Sequence, residues 1–562
     1  MADIGRVLYT AKEAILSNLT AINVTGSNIS NVNTPGYTRL RPVFESVGAT
    51  SSMSAQEQSG VRIADIEQIY DRFLESQLVE QQSSVANYTA QKDYLQRVEA
   101  VLNENNGGGI NDALTKFLNA WGSLSEDPSS KAKRDQVVST GQNLAYIFNQ
   151  RAEELTSIQT AADESIADNV SQLNDYLKQM AEYNSKIVYA ESAGGNSATL
   201  RDRRSELLKK ISGLIDINYI ENKDGALYIT LPSNGKALVE GSSSWELDVQ
   251  RNTSTGLYDI VFSVNPSQAI NEQISGGTLA GLLEVRDGKI PSYLDQLDQT
   301  ASSIINKVNE LHVSGYDQDG NPGEVFFEVT GTTQYASTKY MAVNTDIVAD
   351  ARKVAASSTV NADGNNASDI TAIINDSMYA SVGSISKPSG TTVAAQINSV
   401  GQLYKNTTTD ITLTRAAGVW TLPSTGNGGY PDLKILTSSD REITLDFNND
   451  NYADLTLNLT GTWSDGNSIS FALTKDTSST SIDGYFSAFT SNMGQDIVNV
   501  NQQLESETAI LSQQSDQREQ LSGVSLDEEM INLIKYQMAY GAAGRMTKTV
   551  SDMMDLLINL GQ

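Results

Sequence analysis

The residues best suited to chemistry in this sequence form an acidic stretch between positions 446 and 454. Oxygen-bearing side chains stand at positions 1, 3, 5 and 9 of that stretch, namely Asp446, Asn448, Asp450 and Asp454. Carboxylate and amide oxygens on a tight loop are ligands that calcium prefers. Asn451, however, stands where such loops usually have glycine, and the distant glutamate of an EF-hand is missing. A calcium site therefore stays open, but a solvated β-turn is the favoured interpretation.

Other kinds of catalytic or metal chemistry have few residues to use. The sequence has no cysteine and a single histidine, His312. Disulfides, thiol catalysis and cysteine-based zinc sites are excluded, and most zinc and hydrolase sites need more than one imidazole or a thiol partner. The basic run Arg201–Arg204 could pair with an acidic neighbour, but a solvated helical face is the favoured interpretation. We expect no enzyme activity, no small-molecule substrate and no cofactor except possible calcium.

Length and charge limit the partners and the architecture. A chain of 562 residues is too long for one hydrophobic core, so several domains are expected. With 39 basic and 68 acidic residues, the formal charge of -29 repels phosphate backbones and anionic lipids. Nucleic acid and membrane are thus not expected partners. The N-terminus shows no basic region followed by an apolar block, so we expect no cleaved signal peptide.

Both ends of the chain are predicted to be amphipathic helices. The N-terminal stripe recurs every three or four residues through Ile4, Leu8, Ala11, Ile15, Leu19 and Ile22. The C-terminal stripe runs to the chain end through Met530, Ile534, Met538, Ala542, Met546, Val550, Met553, Leu557 and Leu560. Such stripes can form an intramolecular bundle or a seam between subunits. Their position at the two ends favours the seam.

The remaining pattern predicts an α+β multidomain fold, with a terminal α-helical coiled-coil domain, a long helical bundle and β-rich outer domains. Within the bundle, helices are expected from about Ala64 to Leu102 and from Lys131 to Ala190. The predicted domains are an axial helix and loop over 1–60 that pairs with 524–562, a helical domain over 61–215 completed by 278–315 and 484–523, a β-rich outer domain over 216–277, a mixed region over 316–383, an inserted β domain over 384–482, and C-terminal helices over 483–562.

Two short motifs have clear local chemistry. In Ser27–Arg39, Pro35 and Gly36 suit the central positions of a type II turn, and Asn31 and Asn33 can satisfy backbone groups beyond the helix end. In Ser525–Glu528, the serine can cap a free helix amide while the glutamate reaches back, as in a capping box.

Three passages resemble one family. Ser27–Arg39 closely resembles the signature shared by flagellar rod, hook and hook-associated proteins. Gly523–Tyr540 looks like the C-terminal helix of the same axial family. The internal passages Gly276–Leu283 and Val308–His312 are similar to hook-associated proteins rather than to the hook protein. The resemblance weakens between about Pro388 and Thr480, which we interpret as a lineage-specific domain.

The resemblance implies an extracellular structural subunit at the junction between flagellar hook and filament. It implies export through the flagellar type III channel and a ring-like homo-oligomer on the hook tip. The implied partners are the hook protein, a second junction protein and an export chaperone. The alternatives are another axial component, either the hook or a distal rod protein, and a secreted calcium-binding adhesin built on the inserted domain.

The assembly interface is expected at the terminal stripes and the Ser27–Arg39 loop. Its predicted residues are Ile4, Leu8, Ile15, Leu19, Ile22, Asn31, Asn33, Pro35, Gly36, Leu533, Ile534, Met538, Val550 and Leu557.

Overall fold

The computed structural model describes residues 2–46, 60–102, 108–193, 195, 197–331, 333–360, 363–375, 380–382, 385–397, 410–422, 433–447, 453, 455–475 and 481–560, with side chains of 2–6, 380–382, 396–397, 474–475 and 557–560 outside that description. The helices are α1 (Ala2–Ser30), α2 (Arg72–Leu102), α3 (Ile110–Glu126), α4 (Lys131–Ser192), α5 (Ala198–Leu214), α6 (Gly277–Leu283), α7 (Ile290–Ser314), α8 (Ala336–Lys339), α9 (Thr345–Ala349), α10 (Asn365–Thr371), α11 (Ile482–Ser522) and α12 (Leu526–Leu560). A π-helical segment, Glu284–Lys289, joins α6 to α7.

The strands are short and form several small antiparallel sheets. They are β1 (Leu40–Ser46), β2 (Val61–Gln68), β3 (Asn218–Glu221), β4 (Leu227–Thr230), β5 (Ala237–Glu240), β6 (Ser243–Ser244), β7 (Leu247–Arg251), β8 (Tyr258–Phe262), β9 (Asn265–Ala269), β10 (Phe327–Val329), β11 (Met341–Val343), β12 (Ala380–Val382), β13 (Thr392–Ile397), β14 (Ile411–Ala416), β15 (Val419–Thr421), β16 (Lys434–Ser438), β17 (Glu442–Asp446), β18 (Leu455–Thr460), β19 (Ser468–Phe471) and β20 (Leu473–Lys475). The predicted α+β multidomain class is confirmed.

The chain divides into two compact units. The first unit contains residues 1–91, 163–283 and 500–562, and the second contains residues 92–162 and 284–499. Each unit is built from segments that are far apart in sequence. The boundaries between the units fall inside the long helices α2, α4 and α11, so each of these helices contributes residues to both units.

The terminal helices meet in the first unit, where α1 packs against α12. Strands β1 and β2 form an antiparallel hairpin beside α1, and the Ser17 hydroxyl donates to the Val61 carbonyl at 2.9 Å. The expectation of a helix from about Ala64 is wrong. Residues up to Gln68 pair as a strand, and α2 begins only at Arg72.

The rest of the first unit surrounds the second half of α4. The predicted apolar seam of this helix is buried, including Val170, Leu173, Leu177 and Met180. Two small sheets accompany it, in the order β3-β4-β5-β6 and β7-β8-β9. The Asn184 side chain, fully buried on α4, donates to the carbonyls of Leu227 and Gly241 at 2.8 and 2.9 Å. This bond pair fixes the first sheet against the helix.

An aromatic cluster forms part of the core of the second unit. Phe117 and Trp121 of α3 contact the rings of Phe326 and Phe327. His312 lies edge-on to Trp121, with ring centroids 6.0 Å apart, and is fully buried. It is inside α7, which continues to Ser314.

The His312 ring is fully hydrogen-bonded. Its Nδ1 bonds the Glu324 carbonyl, which requires the proton on Nδ1, and its Nε2 accepts from the Ala355 amide at 2.8 Å. Burial lowers the pKa of His312 to about 4. The ring is therefore neutral near pH 7 and has a packing role.

In and beside the stretch predicted as an inserted β domain, 384–482, strands β12 and β20 pair with each other. Between them lie one sheet ordered β13-β18-β17-β16 and another ordered β15-β14-β19. Both sheets contribute to a single hydrophobic cluster, in which the Trp420 and Trp463 rings meet edge-to-face at 5.2 Å. Alternation of apolar and polar residues along β18 places Leu455, Leu457 and Leu459 in this core.

Candidate assembly site

The Ser27–Arg39 loop closes through the predicted turn. The Tyr37 amide donates to the Thr34 carbonyl at 3.2 Å, with Pro35 and Gly36 at the central positions. Gly36 has φ of 77°, a left-handed conformation that favours glycine at this place in a type II turn. A Cβ at this position would also lie 2.5 Å from the Glu206 carboxylate group. The conformation therefore favours glycine, and the flexible Glu206 side chain would have to move to admit a Cβ.

Asn28, at the end of α1, connects three segments. Its Oδ1 accepts from the Leu40 amide at 3.0 Å and from the Tyr37 hydroxyl at 2.9 Å. Its Nδ2 donates to the Leu40 carbonyl at 2.9 Å and to Glu529 Oε2 at 3.0 Å. Because Asn28 is almost completely buried, these bonds replace those that the amide would make with water. They join α1 to β1 and to α12.

Arg39 continues the connection to α12. Its Nε donates to Glu529 Oε1 at 2.8 Å, and its Nη1 donates to Glu528 Oε2 at 2.7 Å. Ser525 caps α12 as predicted, accepting from the Glu528 amide at 3.5 Å. The Glu528 carboxylate pairs with Arg39, whereas the capping box predicted that it would reach back toward Ser525.

A second ion pair joins α11 to the start of α2. Arg518 Nε donates to Glu75 Oε1 at 3.0 Å, and Arg518 Nη2 donates to the Gly36 carbonyl at 2.9 Å. Both side chains are buried, and Lys209 lies 3.4 Å from the other Glu75 oxygen. Removing Arg518 would leave the buried Glu75 carboxylate with Lys209 as its remaining ionic partner, and losing one member of a buried ion pair is strongly destabilising. We call Asn28, Arg39, Glu75, Arg518 and Glu529 the polar junction.

Asp202 holds the loop from the α5 side. Its carboxylate accepts from the Thr38 amide at 3.3 Å and from Gln68 Nε2 at 2.8 Å. Burial raises the pKa of Asp202, although these hydrogen bonds act in the opposite direction. The prediction of a solvated face for Arg201–Arg204 is wrong for Asp202 and Arg204. The buried Arg204 pairs with Glu221 of β3 at 2.8 Å.

The face of α1 that is buried consists mainly of small and polar residues. It comprises Ala11, Ser17, Asn18, Ala21, Val24, Thr25 and Asn28. On a helix of 3.6 residues per turn, the predicted apolar stripe is centred about a third of a turn away from this face. Small residues allow the two helix axes to approach closely, but they leave the larger side chains beside the contact.

The corresponding face of α12 follows a seven-residue spacing through Glu529, Tyr536, Ala543 and Val550. Tyr536 packs against Phe44 of β1, with ring centroids 5.8 Å apart. The predicted stripe through Met530, Ile534 and Met538 lies about half a turn away. It therefore points away from α1.

Large apolar side chains consequently remain exposed on the terminal helices. On α1 these are Tyr9, Leu16 and Leu19; on α12 they are Leu526, Met530, Ile531, Ile534, Met538, Tyr540, Met546, Met553, Met554 and Leu556. Ile531 and Met538 are both 66% exposed. Met530, Ile531, Ile534 and Met538 share one side of α12, and we call these four residues the outward apolar face. Exposed large apolar side chains that share one side of a helix are typical of an interaction surface.

The predicted interface residues therefore separate into groups. Leu19, Ile534 and Met538 are exposed, and so are Asn33 and Pro35 in the loop; Leu8, Ile15, Ile22, Asn31, Gly36 and Leu533 are half-buried, and Val550 is buried. The side chains of Ile4 and Leu557 lie outside the described residues. Sequence reasoning missed Glu75 and Arg518. The only signal for them in the sequence was that each is a charged residue on the inner side of an amphipathic helix, Glu75 on α2 and Arg518 on α11.

The predicted calcium loop is described only in part. Asp446 ends β17, is fully buried and lies 3.2 Å from Lys434 Nζ. Asn448, Asp450 and Asp454 lie outside the described residues. A cation at Asp446 would compete with the Lys434 ammonium, so calcium binding stays a prediction. Within the described ranges, no cluster of three or more His, Asp or Glu side chains is placed to hold a metal ion.

Three family models match the chain. "Flagellar hook-associated protein FlgK helical domain" matches residues 95–327, "Flagella basal body rod protein" matches residues 8–38, and "Flagellar basal body rod FlgEFG protein C-terminal" matches residues 517–560. The last two fall on α1 with its loop and on the α11–α12 corner, the segments that the polar junction joins. By its fold and by these matches, the chain is similar to structural proteins of the flagellar axial family.

The chain is also similar over nearly its whole length to flagellar hook-associated protein 1. It is 26% identical to that protein from Bacillus subtilis, with 98% of this chain and 97% of the relative covered. Identity to the proteins of the same name from Salmonella typhimurium and Escherichia coli is 22% and 23%, each over 96% of this chain and 97% of the relative. The resemblance predicted from the sequence is confirmed.

A solved structure has the same fold. It is the flagellar hook junction protein FlgK from Burkholderia pseudomallei, with a TM-score of 0.54 and 16% identity, covering 79% of this chain and 100% of that one. In the described part of our chain, none of the helices combines the length and apolar character needed to span a membrane.

Proposed function

We propose that this chain is a structural subunit of the junction between flagellar hook and filament, and that it assembles through the outward apolar face. The observation that carries this proposal is the orientation of the terminal helices. They bury small and polar residues against each other and expose Ile534 and Met538 to solvent. Burying an exposed Ile or Met side chain contributes about 1.5–3 kcal/mol, so a repeated contact along this face would hold subunits together strongly.

The polar junction supports the same role. It fixes the Ser27–Arg39 loop to the corner between α11 and α12 through bonds that join residues 501 positions apart. In this way the two chain ends would be presented as one surface. The proposed partners are further copies of this chain in a ring on the hook tip, the hook protein and a second junction protein. Export through the type III channel with a chaperone, to an extracellular site, belongs to the same proposal.

Electron microscopy of a strain that lacks this chain tests the role. We expect finished hooks without filaments, and flagellin in the medium. Absent hooks would instead assign the chain to the hook or the distal rod. Normal filaments would overturn the proposal.

Variants test the surface. Ile534→Asp introduces a charge at the centre of the outward apolar face and should fail to restore filaments. Val419→Asp is the matched control, because Val419 is equally exposed but lies in the inserted β domain: the two exposures are 52% and 51%. Val419→Asp should restore filaments fully. Restoration by both variants would overturn the assignment of the face.

A further inference from the structure

The methionines of this chain are unevenly distributed. Five of the eleven lie on α12: Met530, Met538, Met546, Met553 and Met554. All five are between 40% and 66% exposed. The other methionines whose side chains are described, Met180, Met341 and Met493, are at most 5% exposed. Helix α12 therefore holds every exposed methionine in the described part of the chain.

Two of these residues lie on the outward apolar face at helical spacing. Met530, Ile534 and Met538 follow one another at intervals of four residues, so their side chains are neighbours along one side of α12. A flexible, polarizable thioether suits an apolar contact that must adapt to a partner. The same exposure makes each sulfur accessible to dissolved oxidants.

We propose that Met530 and Met538 form an oxidation-sensitive modification site that controls whether the outward apolar face can assemble. The inference rests on the proposed function, because the site acts on the free chain before its neighbours cover α12. The oxidant is a peroxide. A thioether lone pair attacks one peroxide oxygen, the S–O bond forms as the O–O bond breaks, and the departing hydroxide takes a proton to give water. The sulfur is oxidised by two electrons and the peroxide is reduced.

The sulfoxide changes the contact in a defined way. It places a strong hydrogen-bond acceptor beside the hydrocarbon side chains of Ile531 and Ile534. A polar group that is buried without a donor opposes association. Helix α12 itself should persist, because both side chains point away from α1 and contribute nothing to that contact.

The test uses the purified full chain, hydrogen peroxide and hooks isolated from a strain that lacks this chain. Mass spectrometry of peptides should show oxygen added at the five α12 methionines before Met180, Met341 or Met493. Co-sedimentation with hooks should fall about tenfold or more after this treatment, as expected for at least one unpaired polar group in the contact. Circular dichroism should show unchanged helix content.

A double variant, Met530→Leu with Met538→Leu, keeps the volume and removes both sulfurs. It should bind hooks before and after treatment. Met493→Leu, at a buried position, should remain as sensitive as the unmodified sequence.

The outcomes separate the two proposals. If untreated chain binds hooks and oxidised chain binds equally well, the oxidation site is overturned and the proposed function stands. If the double variant is as sensitive to peroxide as the unmodified chain, the assignment to these two residues is overturned. If untreated chain fails to bind hooks, the proposed function fails, and the inference fails with it.

Discussion

The terminal helices and the inserted β domain use apolar residues in opposite ways. In the inserted β domain, the largest side chains lie inside: Trp420, Trp463 and Phe471 are nearly or completely buried. In the α1–α12 pair, alanines and short polar residues lie inside, whereas Ile531, Ile534 and Met538 are exposed. The first arrangement stabilises a domain by itself. The second leaves a large part of its apolar surface for contacts with another molecule.

This difference separates stability from assembly. Changes in the core of the inserted β domain should lower the free energy of unfolding and leave hook binding intact. Changes on the outward apolar face should weaken hook binding and leave the free energy of unfolding nearly unchanged. The predictions below test this separation, beginning with the largest expected effect on stability.

Phe471→Ala should cost about 3–5 kcal/mol, because it removes a ring from a core position that is completely buried. Urea unfolding followed by tryptophan fluorescence measures this change, since Trp420 and Trp463 belong to the same cluster. Hook binding should remain at the level of the unmodified chain. If this variant lost hook binding while its terminal helices were intact, the core of the inserted β domain and the assembly surface would not be independent of each other.

Arg518→Met should destabilise the first unit by roughly 3 kcal/mol, because it leaves the buried Glu75 carboxylate without its closest partner. The second variant, Arg518→Met with Glu75→Leu, removes both charges and should recover most of that loss. Urea unfolding measured by circular dichroism compares the two. Equal stability of the single and double variants would show that the ion pair does not hold the polar junction.

Acid should weaken the second unit through His312. Its pKa is about 4 in the folded protein, below the ordinary value of 6.5, because burial disfavours the charged ring. The unfolded chain therefore binds the proton first as pH falls. Stability is lost between about pH 6.5 and pH 4, and the loss reaches about 3 kcal/mol.

The control for this pH effect is His312→Gln, whose amide can donate to Glu324 and accept from Ala355 without ionising. Urea unfolding at pH 7 and pH 4 should give a smaller difference for this variant than for the unmodified chain. If the free energy of unfolding changed by the same amount between pH 7 and pH 4 in His312→Gln and in the unmodified chain, the acid sensitivity would come from carboxylates elsewhere.

Met538→Ser should have the smallest effect on stability, less than about 0.5 kcal/mol, because its side chain is mostly exposed in the free chain. Val550→Ser is its inward counterpart on the same helix and should cost roughly 2 kcal/mol. Circular dichroism during urea unfolding compares them. If Met538→Ser were the more destabilising variant, the assignment of inner and outer sides of α12 would be wrong.

Much of the local structure could be predicted from the sequence, because it depends on neighbouring residues. The apolar periodicity of α4 correctly predicts its buried side, and Pro35-Gly36 predicts the turn that Gly36 makes with positive φ. The β2 strand was missed, since its alternation is weak and its partner β1 lies across an intervening segment. The inward position of Arg204 was missed for a similar reason, because it depends on a sheet formed by later residues.

The sequence by itself determined that both chain ends are amphipathic helices, that short strands fill the middle and that the signature loop turns at Pro35-Gly36. Only the tertiary structure decided which side of each terminal helix is buried. A periodic pattern locates an apolar stripe along a helix, but it contains no information about what covers that stripe. Glu75 and Arg518, 443 positions apart, could be joined only by the packing of α2 against α11. Long-range ion pairs and the choice of buried face depend on three-dimensional proximity, which local propensity does not encode.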